Sequence, residues 1–216
     1  MKINDKKLES IIELYLGEVR KSLDKLNKSD LINALKILVD AFNHGKTVFI
    51  LGNGGSASTS SHMAADLSKG TLSRVYDKKE KRLRAISLID NTALLSAYGN
   101  DLSFDEIFIQ QLNNLVKKDD VVIALSGSGT SKNIVKAVEY AKQCGAKTIG
   151  LLGFKKGGKL SEIVDCSIVV QSNHYGPIED VHLICNHLLT TLFAKLKNES
   201  GKFGKNDNLS MPFRKV

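Results

Sequence analysis

Five short apolar runs restrict the fold of this chain more than any other feature. They are Thr47–Leu51, Arg84–Ile89, Val121–Leu125, Lys147–Leu152 and Ser167–Val170. Each has strand length, and their centres are continuously apolar rather than alternating. A strand of that kind is buried on both faces. Between the runs lie stretches with helical spacing: Ser56–Leu67, Asn91–Tyr98, Ser131–Cys144 and Lys159–Ile163, with a long last helix over Ile178–Leu196. Strands that alternate with helices predict an α/β chain, a three-layer sandwich around a parallel sheet of five strands. Two amphipathic helices precede it. Leu8, Ile11, Ile12, Tyr15, Leu16, Val19, Leu23 and Leu26 share one face of the first. Ser29-Asp30 offers a cap for the second, Leu31–Phe42, which ends near Gly45.

The 216 residues suffice for one sizeable domain, placed at 1–196 with its core over about 45–196. A polar tail, 197–216, follows and reads as flexible unless a partner subunit holds it. No apolar stretch is long enough to span a bilayer, and MKINDKKLES lacks the apolar centre of a signal peptide, so a cytoplasmic location is expected. Cys144, Cys166 and Cys185 are odd in number and set among apolar neighbours, which suits small core residues in a reducing compartment. The formal net charge is +8, concentrated in Lys69–Arg84 and in the tail from Lys195. Neither segment interleaves its basic residues with stacking aromatics, which argues against nucleic acid. A solvated loop and a solvated tail account for the charge.

Two strand ends carry the chemistry. Thr47–Leu51 runs into Gly52-Asn53-Gly54-Gly55-Ser56, and Val121–Leu125 runs into Ser126-Gly127-Ser128-Gly129-Thr130-Ser131. Glycine permits close backbone approach, hydroxyls donate and accept, and N–H groups at a helix start favour an anion. Both turns therefore read as cradles for a phosphate or a polyhydroxyl ligand. Two decoys fall away. Gly52–Ala57 fits G-x-G-x-x-A, but the next strand ends near Asp90, far beyond the acidic position that a dinucleotide site requires. Gly153–Lys159 fits the start of a P-loop, but Leu160 stands where a Ser or Thr must hold magnesium, so a flexible strand-to-helix loop is expected there.

The order GNGGS, HMAADL, YGND, SGSGTS and a histidine-bearing last helix, spread over about Leu8 to Leu196, resembles the sugar isomerase (SIS) domain and, within it, the phosphoheptose isomerases. The resemblance implies a flavodoxin-like core with an N-terminal helical extension and a homotetramer with active sites between subunits. It implies interconversion of D-sedoheptulose 7-phosphate and D-glycero-D-manno-heptose 7-phosphate through an enediol, feeding heptose to a surface glycan such as lipopolysaccharide or capsule. By the same resemblance Asn53, Gly54, Gly55, Ser56, Asn100, Asp101, Ser126, Gly127, Ser128, Ser131 and Glu179 contact substrate. One zinc ion per subunit falls to His62, Asp66, Glu179 and His187, and the acid/base pair is Asp66 and His187. The chain departs from the family pattern at three positions: Asp66 replaces Glu, Glu179 replaces Gln, and Gly127 replaces Thr. An isomerase of another phosphosugar therefore stands as an alternative. So does a non-catalytic SIS protein, since some relatives of similar length bind a partner, one of them the bacterial replication initiator.

The residues carry part of this unaided. His62 and Asp66 lie at i and i+4 on one helix face, and imidazole with carboxylate suits zinc. At ~100° per residue Asp180 falls almost in register with His187, whereas Glu179 lies ~80° away. Helix geometry pairs Asp180 with His187, the resemblance prefers Glu179, and an off-axis cavity admits both. His182, on an otherwise apolar face, reads as a hydrogen-bonded structural histidine. His44 and His174 lie in loops and receive no role.

Overall fold

The structure, a computed structural model, describes residues 4–73 and 77–198. Five strands form one sheet: β1 (Thr47–Gly52), β2 (Arg84–Ser87), β3 (Val121–Ser126), β4 (Lys147–Leu152) and β5 (Cys166–Val169). All pairings are parallel and the spatial order is β2-β1-β3-β4-β5, the flavodoxin-like order. The central strands are buried along their length because helices cover both faces. Side chains alternate between the faces, so Val48 and Ile50 join one core while Phe49 and Leu51 join the other. The first core packs against α2 (Lys28–Asn43), α3 (Gly55–Ala65) and α8 (Tyr175–Asn198). The second packs against α5 (Ile109–Leu115), α6 (Lys132–Gln143) and α7 (Leu160–Ile163). Helix α1 (Asp5–Asp24) lies on α8, and α4 (Thr92–Asp101) buries none of its residues.

The structure departs from the sequence-based expectation at several elements. Helix α5 and the 3₁₀ turn Phe104–Glu106 fall in a stretch to which no element was assigned. Phe108 and Leu112, four apart and fully buried, were their signal. Strand β2 stops at Ser87, although the Leu88 N–H still donates to the Ile50 carbonyl at 2.9 Å. Helix α3 passes at Asp66 into a π-helical segment, Asp66–Gly70. Helix α8 starts at Tyr175, with Pro177 in its first turn where no intrahelical N–H is needed, and it reaches Asn198. Lys197, expected in the tail, instead lies in the last turn of α8 with its ammonium on the Thr71 carbonyl (3.0 Å) and the Glu80 carboxylate (2.5 Å). Residues 199–216 lie outside the described residues, as do 74–76 of the basic segment. No described helix is long and apolar enough to cross a membrane.

Burial perturbs two groups on α8, Cys185 and His182, and one on β5, Cys166. The thiols of Cys166 and Cys185 are free, and burial pushes them up to about 11 and about 12. His182 is 1% exposed, with Nε2 3.0 Å from the Leu152 carbonyl at the end of β4. Burial drives its pKa down from 6.5 to about 4 despite that bond. The folded protein thus holds His182 neutral where the unfolded chain would protonate it. Stability from this group is complete above pH ~6.5 and declines as the pH falls through about 4. The full difference is about 3 kcal/mol. Unfolding titrations from pH 7 to pH 4 should show His182→Gln losing less stability than the parent across that window.

Candidate active site

Strands β1 and β3 are neighbours whose chains leave the sheet toward opposite edges. A crevice therefore opens at their carboxyl ends, the usual ligand position in such a sheet. Both glycine turns border it. In the first, Gly54 has φ 56°, and a Cβ on Gly52 would stand 2.6 Å from the Ser56 carbonyl oxygen. In the second, Ser126 Oγ accepts from the Gly129 N–H (3.1 Å) and Ser128 Oγ from the Thr130 N–H (3.3 Å). Ser131 is the N-cap of α6 and its hydroxyl makes no capping bond, while behind it the Ile134 N–H is taken by Asn133 Oδ1 at 2.9 Å. The turns are tied together. Asn53 Nδ2 donates to Asn133 Oδ1 (2.9 Å) and Asn133 Nδ2 donates back to Asn53 Oδ1 (3.0 Å).

The two cradles differ in charge. Any Cβ at Gly55 would collide with the Glu179 carboxylate, which therefore occupies the first turn of α3. A helix N-terminus carries partial positive charge, and here a side chain of α8 already answers it. The first cradle is therefore less suited to an anion than the second. That second turn is backed by the Gly153–Lys159 loop. Leu160 N–H donates to the Gly129 carbonyl at 2.9 Å, and a Cβ on Gly129 would run into the Gly157 carbonyl. The expected flexible loop is instead a buttress, with Gly157 and Gly158 both at positive φ. Gly127 lacks a side chain where the Tyr175 ring lies, 3.0 Å from the site of a Cβ, and Tyr175 in turn meets Phe154 edge-on with ring centroids 5.1 Å apart.

Beyond the cradles, α3 and α8 bring three groups together. His62 Nε2 lies 3.3 Å from Asp66 Oδ2, His187 Nε2 lies 3.7 Å from the same oxygen, and the two Nε2 atoms are 3.3 Å apart. One donor atom from each falls within 4.8 Å of the others. Both imidazoles are about half exposed, so the group is open to a ligand.

A family model described as the SIS domain matches residues 14–153. The chain belongs to the SIS domain family. Among SIS relatives, a phosphoheptose isomerase of Nitratiruptor sp. is 38% identical over 84% of this chain and 95% of its own length. A solved phosphoheptose isomerase of Francisella tularensis superposes with a TM-score of 0.79 at 27% identity, covering 90% of this chain and 100% of that one. The Neisseria gonorrhoeae phosphoheptose isomerase gives 0.78 at 24% identity over 88% and 98%, which speaks for the fold alone.

Within this SIS site, the sequence-assigned residues fall into distinct groups. His62, Asp66 and His187 converge, whereas Glu179 stands outside that group, on Gly55. Asn53, Gly54 and buried Ser56 form the first turn, and Ser126, Gly127, Ser128 and Ser131 the second. Asn100 and Asp101 are exposed at the end of α4, hydrogen-bonded to each other at 2.8 Å and to neither turn. The helical-register pairing of Asp180 with His187 does not form. Asp180 Oδ2 instead accepts from the Tyr15 hydroxyl of α1 at 2.6 Å, and that bond raises the Tyr15 pKa. The sequence reading misses Asn133, Asn186 and Tyr175 and takes Tyr15 only as part of an apolar face, because an isolated amide or tyrosine carries no motif. A cavity of about 520 Å³ opens beside Gly52–Gly54, but Ile89, Leu95, Phe104 and Ile107 line it, a poor surface for a phosphosugar.

Gly129→Ala should destabilise the fold by about 2 kcal/mol or more, since it adds strain at φ 64° to a collision with Gly157. Denaturant unfolding measures this.

Proposed function

We propose that this chain is a phosphosugar aldose–ketose isomerase acting on D-sedoheptulose 7-phosphate to give D-glycero-D-manno-heptose 7-phosphate. The observation that carries the reading is the convergence of His62, Asp66 and His187 beside an anion-ready serine turn. The phosphoheptose isomerases among its relatives match nearly end to end.

The phosphate rests on the Ser126–Ser131 turn, taken by the Ser128 and Ser131 hydroxyls and the first N–H groups of α6. Ser126 braces that turn from beneath, and Gly127 leaves room for Tyr175. Binding at the phosphate end positions the reacting carbons at the other. Asn53, Gly54, Gly55 and Ser56, with the Glu179 carboxylate, receive hydroxyls of the chain. A base removes a proton from C1 of the ketose, the C2 carbonyl oxygen gains a proton, and an enediol results. Returning a proton to C2 and moving the O1 proton away completes the aldose. Asp66 and His187 would carry these protons.

The donor set fits zinc. Two imidazole nitrogens and one carboxylate oxygen would suit a catalytic zinc ion. Tetrahedral bonds of ~2.05 Å place ligand atoms ~3.3 Å apart, close to the 3.3, 3.3 and 3.7 Å found here. His62, Asp66 and His187 would hold one ion per subunit, which would polarise the carbonyl. Glu179, away from that group, serves the substrate.

A homotetramer with sites between subunits belongs to the same reading. Leu8, Ile11, Ile12 and Tyr15 of α1 are between 43% and 56% exposed, a face that suits a second copy, and Asn100 and Asp101 would act where copies meet.

Proton NMR in deuterium oxide tests the activity. Deuterium should enter C1 of sedoheptulose 7-phosphate as an aldose signal grows; neither change, with or without zinc, would refute the assignment. Asp66→Asn and His187→Ala should each lower kcat by about 10²-fold or more in folded protein. Ser128→Ala should raise KM several-fold, and an unchanged KM would remove that turn from phosphate binding.

A further inference from the structure

Asn186, the residue before His187, points away from solvent. It is fully buried, and its Nδ2 donates to Asp66 Oδ2 at 2.8 Å. This is the same carboxylate oxygen that faces His62 at 3.3 Å and His187 at 3.7 Å. The amide orientation is dictated by chemistry, because turned over it would set two acceptor oxygens against each other. The other end of the amide, Oδ1, is buried without a partner among the described residues. An unpaired buried carbonyl is costly, and a leucine of nearly the same shape would avoid the cost. Packing therefore does not explain an asparagine here, whereas its donor does. Asp66 opens the π-helical segment, where the backbone leaves regular α register and a short carboxylate needs an outside hold.

We infer that Asn186 is a positioning residue of the isomerase, fixing Asp66 Oδ2 against the two imidazoles. This rests on the isomerase reading. The same helix face supplies a control. Thr190, one turn on, also buries an unpartnered atom, Oγ1, but no hydrogen bond joins it to Asp66.

The test compares the full-length parent with Asn186→Leu and Thr190→Val. The readouts are melting temperature, kcat and KM with sedoheptulose 7-phosphate, and zinc affinity by competition with a chromophoric chelator. Both variants should melt at or above the parent. Thr190→Val should keep parent kcat and zinc affinity. Asn186→Leu should lose at least about 10-fold in kcat with KM within about twofold, and bind zinc about 10- to 100-fold more weakly, the usual loss for an outer-shell partner. Should the leucine variant not fold, Asn186→Ala, which brings no bulk to misfit, is read by the same criteria. Parent-like kcat and zinc affinity in a folded variant would overturn the inference. If the parent binds zinc but gives neither turnover nor deuterium exchange, the isomerase reading fails, while zinc affinity still decides whether Asn186 positions Asp66. A parent that neither turns over nor binds zinc overturns both.

Discussion

Everything at this site depends on how α8 is fastened to the sheet. A neutral, buried imidazole at His182 bonds the Leu152 carbonyl where β4 ends, and Ile178, Val181, Cys185, Leu189 and Phe193 seal the same face into the core. With that helix fixed in rotation and height, its remaining faces are fixed too. Glu179 then falls on the first turn of α3, Asp180 meets Tyr15, Asn186 meets Asp66, and His187 meets His62. A hydrophobic stripe alone would tolerate small slips of the helix, because dispersion has little direction. The histidine bond is directional and buried, so a slip would break it without water to compensate.

The sheet was legible because its signal is local and repeated. Continuous apolar runs and glycine turns exist in the sequence itself, and strand order adds only which turns become neighbours. The His62–Asp66 pair was legible as helical spacing. His187 joined it through resemblance, since no spacing rule connects residues on two helices. Asp180 shows where periodicity misleads. It lies in register with His187, yet α1 reaches over α8 and Tyr15 claims it. Helix α5 was missed because its few buried residues carry the pattern for scarcely two turns. The pairing of Asn53 with Asn133 was illegible because it spans the switch point of the sheet and serves no local rule.

The departures from the family pattern each have a physical partner. Gly127 leaves room for the Tyr175 ring, and Glu179 faces a glycine at 55 where any side chain would collide. Asp66, shorter by a methylene than Glu, is met from behind by a buried amide. Charge also separates two cradles that look alike in sequence. A carboxylate fills the mouth of one, while the cap of the other stays uncommitted.

The contact of Gly129 with Gly157 and Gly158 bears on how such a site changes over generations. Two loops from different strands meet there backbone to backbone, with no side chain between them to absorb a change in either. A new serine turn brought in by recombination would therefore need the matching β4–α7 loop with it, although some thirty residues separate the two in the chain. The two loops that shape this end of the sheet are thus mechanically one unit. The α4 end, open and unburied, is freer to diversify.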